Sequence, residues 1–217
     1  MTFRLTTMAA ALIGAPALAL AQCPTGADLA SGISFRLDDG AKETYKAEGS
    51  DRVVVTYVAE DGYQSRLVLG KGIYLLEFAE VADGAVDPDT RVTYSHSLTP
   101  EKMPIPQAQG RWVSEVAVLD AGTPASEIHN HKFGPNTQIT IGECSYDMMP
   151  ITVFYNDADR TIDHLEYMPS LGFAVLAGSS YLGEDEEREE EFYTYFDIQA
   201  ERSGGGSSGG KKGKKSE

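Results

Sequence analysis

Apolar residues along the chain alternate with polar ones far more often than they recur at helical spacing. Gly32-Ile33-Ser34-Phe35-Arg36-Leu37 alternates and stops at Asp38-Asp39-Gly40, residues that favour a tight hairpin turn. Residues 52–58 are β-branched and aromatic, and Glu60-Asp61-Gly62 turns them into a second run at 63–69. Gly70-Lys71-Gly72 leads into a third at 73–79. Val92, Tyr94 and His96 alternate with polar neighbours. Within 111–119, Trp112, Val116 and Val118 share one face, while Val113 and Leu119 take the other. Runs at 126–133, 137–143, 146–155, 162–168, 173–181 and 191–199 complete the series. They recur roughly every 8–12 residues with Gly, Pro, Asn and Asp between them. This rhythm predicts one all-β domain of about ten to twelve antiparallel strands, as a sandwich or a curved half-barrel. Helical spacing is almost absent. Residues 24–31 have room for one short turn, and the acidic run 184–191 has no apolar face, which predicts a solvated loop.

The two ends of the chain depart from this pattern. Arg4 precedes an apolar stretch from Leu5 to Leu20, and Ala19-Leu20-Ala21 fits a small-x-small cleavage site. A signal peptide over 1–21 is therefore expected, with Gln22 the first mature residue and a periplasmic or secreted product. Gln22 does not suit lipidation at Cys23, which calls for a small residue just before the Cys. No later segment approaches the roughly 18 apolar residues of a span, so no transmembrane segment is expected after cleavage. Residues 203–210 are Ser and Gly only and read as a flexible linker. Lys211, Lys212, Lys214 and Lys215 follow, as either a solvated tail or an electrostatic tether to anionic polymer or lipid. One domain over 22–202 and a linker with tail over 203–217 complete the expected organisation.

Composition sharpens this picture. The chain has 217 residues, 41% of them hydrophobic, which is enough for a sizeable core. Its net charge is -15, and setting aside Arg4 and the Lys-rich tail leaves -19 over 22–202. An acidic domain argues against nucleic acid, whose phosphates need a basic face. Cys23 and Cys144 are the only thiols. In an oxidising compartment they are expected to form one disulfide that staples the mature N-terminus to the middle of the fold.

Candidate chemistry is sparse. Ser126-Glu127-Ile128-His129-Asn130-His131 places Glu127, His129 and His131 on one side of a strand. Imidazoles and a carboxylate at that spacing are workable ligands for zinc or iron, and His96 or His164 would supply a distant third imidazole. The alternative is a solvent-facing strand whose polar side carries His. The pattern departs from that of a cupin jelly roll, because Gly134 and Pro135 stand where a carboxylate ligand is wanted. Asn156-Asp157-Ala158-Asp159 lacks the Gly and closing Glu of a Ca²⁺ loop and reads as a hairpin connection. No Gly-x-Ser-x-Gly appears, and no catalytic residue is assigned. Tyr155, Tyr167, Phe173, Tyr181, Phe192, Tyr193, Tyr195 and Phe196 form an aromatic series, expected to fill the core or to line a concave apolar face.

Tyr167-Met168-Pro169-Ser170-Leu171-Gly172-Phe173 resembles the Tyr-x-Pro-x-Leu-Gly segment of exported β-rich proteins of the DUF3108 and TapB-like kind. The resemblance implies a curved antiparallel sheet and an envelope setting, and it carries no site residues. The function expected is an exported, non-catalytic envelope domain that binds a partner protein, an anionic polymer or lipid, or an apolar ligand, with no cofactor. The alternatives are a zinc or iron protein built on Glu127, His129 and His131, and a purely structural accessory domain.

Overall fold

The structure, a computed structural model, describes residues 23–182 and 188–201. The expected signal peptide, the linker and Lys211, Lys212, Lys214 and Lys215 lie outside the described residues. After a short 3-10 turn at Gly26–Ala30 come β1 (Ile33–Leu37), β2 (Lys42–Ala47), β3 (Arg52–Val58), β4 (Gln64–Gly70) and β5 (Tyr74–Ala82). β6 (Ala85–Val86), β7 (Val92–His96), β8 (Arg111–Asp120) and β9 (Thr123–Phe133) follow. β10 (Thr137–Ile141), β11 (Cys144–Tyr155), β12 (Ile162–Met168), β13 (Phe173–Leu182), β14 (Arg188–Phe192) and β15 (Tyr195–Ala200) complete the chain. All pairings are antiparallel. No helix among the described residues is long and apolar enough to cross a membrane.

The strands form one open sheet in the order β14-β13-β12-β11-β9-β8-β7-β5-β4-β3-β2-β1-β15, with β10 beside β11 and β6 beside β5. Its edge strands, β14 and β15, are consecutive in sequence and separated only by Tyr193 and Thr194. That short link forces the sheet to curl until its edges meet. Tyr193 N–H donates to Ala177 O at 3.0 Å on one side, and Asp38 N–H donates to Thr194 O at 3.0 Å on the other. Inside the curl, Tyr45 of β2 stacks on Phe173 of β13 with ring centroids 4.3 Å apart. Phe35 of β1 meets Phe173 edge-on at 5.9 Å. These strands lie near opposite ends of the strand order, so their inner faces form two layers of one core.

Sequence alternation explains which face turns inward. Ile33, Phe35 and Leu37 of β1, and Val53 and Val55 of β3, are buried, while Arg36 and Arg52 are exposed. The end of the curl is closed by the N-terminal segment. Cys23 is bonded to Cys144 across 121 positions of sequence, and Tyr146 Oη donates to Pro24 O at 3.1 Å. Gly26 N–H donates to Ser170 O at 2.9 Å, within the segment that carries the family resemblance. That segment is the β12–β13 turn, and its Tyr167, Met168, Leu171 and Phe173 are all buried.

The structure corrects two expectations. The described residues form fifteen strands, not ten to twelve. Lys42–Ala47 and the two-residue β6 lack an apolar alternation, and the run expected at 191–199 is split at Tyr193-Thr194. The acidic 184–191 run is not a solvated loop over its described part, because Arg188–Phe192 pairs with β13. All five β14 residues are exposed, and charge suits an edge strand that must not pair with another chain.

Candidate functional site

Between the two inner layers lies a pocket of about 390 Å³. β1 to β5 supply one wall through residues such as Leu37, Val55, Leu67 and Leu75. β12 and β13 supply the other through Leu165, Ala174 and Leu176. Tyrosines complete it: Tyr45 and Tyr155 inside, with Tyr57, Tyr63 and Tyr193 around them. Tyr63, 42% exposed, is the one lining residue open to solvent, which places the mouth beside it. The alternation of β4 explains the local arrangement. Ser65, Leu67 and Leu69 face the pocket, while Arg66 on the other face pairs with Glu77 at 2.7 Å.

Two carboxylates enter this apolar space. Glu43 Oε2 receives the Tyr45 hydroxyl at 2.7 Å and lies 3.1 Å from Tyr195 Oη. Tyr195 Oη is also 2.8 Å from Leu176 O. The Tyr195 hydroxyl has a single proton for these two acceptors. A proton on Glu43 would satisfy both contacts, and burial does raise the Glu43 pKa, against the lowering effect of the Tyr45 and Tyr195 hydrogen bonds. Asp163 receives the Tyr155 hydroxyl at 2.9 Å and the Ser179 hydroxyl at 2.6 Å, and burial raises its pKa as well.

A histidine cluster abuts this pocket through Tyr155. Glu127, His129 and His131 share one face of β9, as their spacing predicts. That face is not solvent-facing: His129 and His131 are buried. β9 is flanked by β8 and β11, so Trp112 and Val153 stand opposite His131, and Ser114 and Tyr155 opposite His129. Tyr155 packs edge-on against His129 with ring centroids 4.6 Å apart. His96 of β7 joins them, its ring centroid 5.5 Å from that of His129. His164 lies elsewhere, stacked near Phe192 at 6.3 Å.

Hydrogen bonds engage three of the six ring nitrogens of His96, His129 and His131. His129 Nε2–H donates to Glu127 at 2.8 Å. His96 Nε2–H donates to Leu75 O at 3.0 Å, leaving Nδ1 to accept from Ser114 Oγ at 3.1 Å. His131 Nδ1 is buried without a hydrogen-bond partner, and its ring packs against Tyr74 and Trp112. Among the described residues, no group of three His, Cys, Asp or Glu side chains is arranged to hold a metal ion.

Burial pushes His129 down to about 4. Burial, followed by the neighbouring His129 and His96, pushes His131 down to about 3. Unfolded histidines titrate near 6.5. The stability held by these neutral rings is therefore full above about pH 6.5. It is lost as pH falls toward 4 and 3, where the unfolded chain takes up protons that the fold refuses. His131→Leu should leave stability at pH 7 unchanged or higher, because it removes a buried nitrogen without a partner. Between pH 6 and pH 4 the variant should lose about 2–3 kcal/mol less than the parent, on a slope of about 1.4 kcal/mol per pH unit. Urea unfolding at both pH values checks this, and parallel losses would contradict it.

The expected aromatic series divides. Tyr155 and Tyr193 line the pocket, while Tyr167, Phe173 and Tyr195 are buried in the core. Phe192 and Phe196 face solvent at 67% and 51% exposure. The stretch 156–161 is a hairpin connection between β11 and β12, in which Asp157 accepts from Thr161 N–H at 2.8 Å and from Thr161 Oγ1 at 2.6 Å. Sequence reasoning missed Glu43 and Tyr45 as pocket residues. The available signal was their i, i+2 spacing between Gly40 and Gly49.

No protein-family model matches the chain, the DUF3108 family included, and no curated protein matches it. Among solved structures, the chain is similar to a hypothetical lipoprotein, YmcC, from Escherichia coli (K12). The identity is 12% with a TM-score of 0.41, over 80% of this chain and 88% of that one.

Proposed function

We propose that the protein is an exported envelope domain that binds an apolar small molecule inside its curled sheet. The observation that carries this reading is the pocket of about 390 Å³ between the two inner layers. It lies within the roughly 300–1,000 Å³ typical of small-molecule sites, and its walls are mainly aliphatic and tyrosine side chains. The apolar N-terminal stretch and the Cys23–Cys144 disulfide support export. The Lys-rich tail would hold the acidic domain near an anionic surface.

The test uses N-phenyl-1-naphthylamine, a probe that brightens in apolar surroundings. The parent protein should bind it saturably. Leu176→Trp, which fills the pocket from β13, should weaken binding about tenfold or more. Leu119→Trp, at an exposed position outside the pocket, should not change it. Equal binding by all three proteins would remove the pocket as the site.

A second reading places zinc or iron on Glu127, His129 and His131. The unpartnered Nδ1 of His131 and the approach of His96 support it. It requires His129 to exchange its bond with Glu127 for the metal. Thermal unfolding with one equivalent of zinc separates the readings. The pocket reading expects no shift, whereas a rise in Tm that His131→Leu abolishes supports the metal.

A further inference from the structure

The ionisable side chains of the pocket that can carry charge near neutral pH are all acids. Glu43 and Asp163 line it, and no Lys, Arg or His does. Several hydroxyl protons of the lining are already committed. Tyr45 donates to Glu43, Tyr155 to Asp163, and Tyr193 to Glu191 at 3.0 Å. Three of the five lining tyrosines thus spend their only donor on a carboxylate. Asp163 has both oxygens occupied, Oδ2 by Tyr155 and Oδ1 by Ser179. On Glu43 both tyrosine contacts fall on the same oxygen, Oε2, so Oε1 is the acceptor best placed for a guest. The pocket therefore offers two acids and no cation, with the hydroxyls of Tyr57, Tyr63 and Ser65 as its other polar groups.

Resting on the pocket reading above, we infer that the ligand is an apolar molecule whose polar head donates hydrogen bonds to Glu43 and is uncharged or cationic, never anionic. The physical reason is enclosure. An anionic head would place an uncompensated negative charge beside two acids in a site walled by apolar side chains, where charges are weakly screened and no cation is present. A hydroxyl or amine head meets an acceptor. An ammonium head also suits Glu43 in its ionised form, which burial alone disfavours. A fatty-acid carriage site that pairs the carboxylate with a cation is not what these residues build.

Competition with bound N-phenyl-1-naphthylamine tests this, using decylamine, decanol and decanoate, which share one chain and differ in the head. The domain is acidic overall, so the titrations are run at about 1 M salt, where the Debye length is about 3 Å and long-range repulsion of decanoate is screened. Decylamine and decanol should displace the probe at concentrations about tenfold or more below decanoate. Glu43→Gln should narrow the gap between decylamine and decanoate, while Asp163→Asn, at the acid with both oxygens occupied, should narrow it less. The comparison of heads on the parent protein stands even if a variant fails to fold. Decanoate competing as well as decylamine and decanol would overturn the head-group inference and leave the pocket reading in place. Failure of the probe itself to bind would overturn both.

Discussion

Cys23→Ala with Cys144→Ala is expected to cost about 4–5 kcal/mol, the largest loss of any change considered for this fold. The bond closes a loop of 121 positions, so its removal returns a large conformational freedom to the unfolded chain. The folded state also loses its anchor. Cys23 and Leu29 pack against the main core, which includes Cys144 itself. Leu29 packing and the Tyr146–Pro24 and Gly26–Ser170 hydrogen bonds then hold the N-terminal segment without the covalent link. A small domain's whole stability is roughly 5–15 kcal/mol, so a large share of it is at stake. Urea unfolding of the double variant beside the parent reads the difference. A loss below about 1 kcal/mol would mean that closure of this loop does not constrain the unfolded chain.

Gly72→Ala should be the most damaging change of one hydrogen to a methyl group. Gly72 sits in the turn between β4 and β5 at φ +69, where a side chain is strained by about 1–2 kcal/mol. A Cβ there would lie 2.4 Å from Gly172 O and 2.7 Å from Phe173 Cα. Those are backbone atoms and cannot swing aside, so overpacking adds about 1–3 kcal/mol. The same close approach lets Ala174 N–H donate to Gly72 O at 2.9 Å, which ties β13 to the β4–β5 turn. Gly49 provides the comparison. It also has positive φ, at +73, but nothing lies within 4 Å of its would-be Cβ. Gly49→Ala should therefore cost only the conformational part, about 1 kcal/mol. Equal losses in the two variants would show that the layers do not press together at Gly72.

The strands that sequence reveals are those whose two faces differ in polarity. β8 is an example: Val116 and Val118 are buried, and Val113 and Leu119 are exposed, on the faces that alternation assigns. β2 escapes the same reading for a physical reason. Its inward residues include Glu43, a carboxylate serving a pocket, and its other face is Lys42, Thr44 and Lys46. No apolar stripe remains to mark it. β14 is similarly silent, since an exposed acidic edge strand is specified by the free edge of β13 and not by its own hydrophobicity.

The candidate site was legible only in fragments. Spacing alone puts Glu127, His129 and His131 on one face. Imidazole suits both interior and surface, so it does not say that the face is buried; pairing with β8 and β11 decides that. The pocket is further from reach, because its walls come from opposite regions of the strand order and meet only when the sheet curls. The link that forces the curl is Tyr193-Thr194, within a run that reads as one strand.

The curled sheet is proposed to hold an apolar guest. Native mass spectrometry of the protein, purified without detergent and then incubated with decanol, tests it most directly. One bound molecule is expected on the parent and none on Leu176→Trp. A bare mass for both, or the same adduct on both, would contradict it.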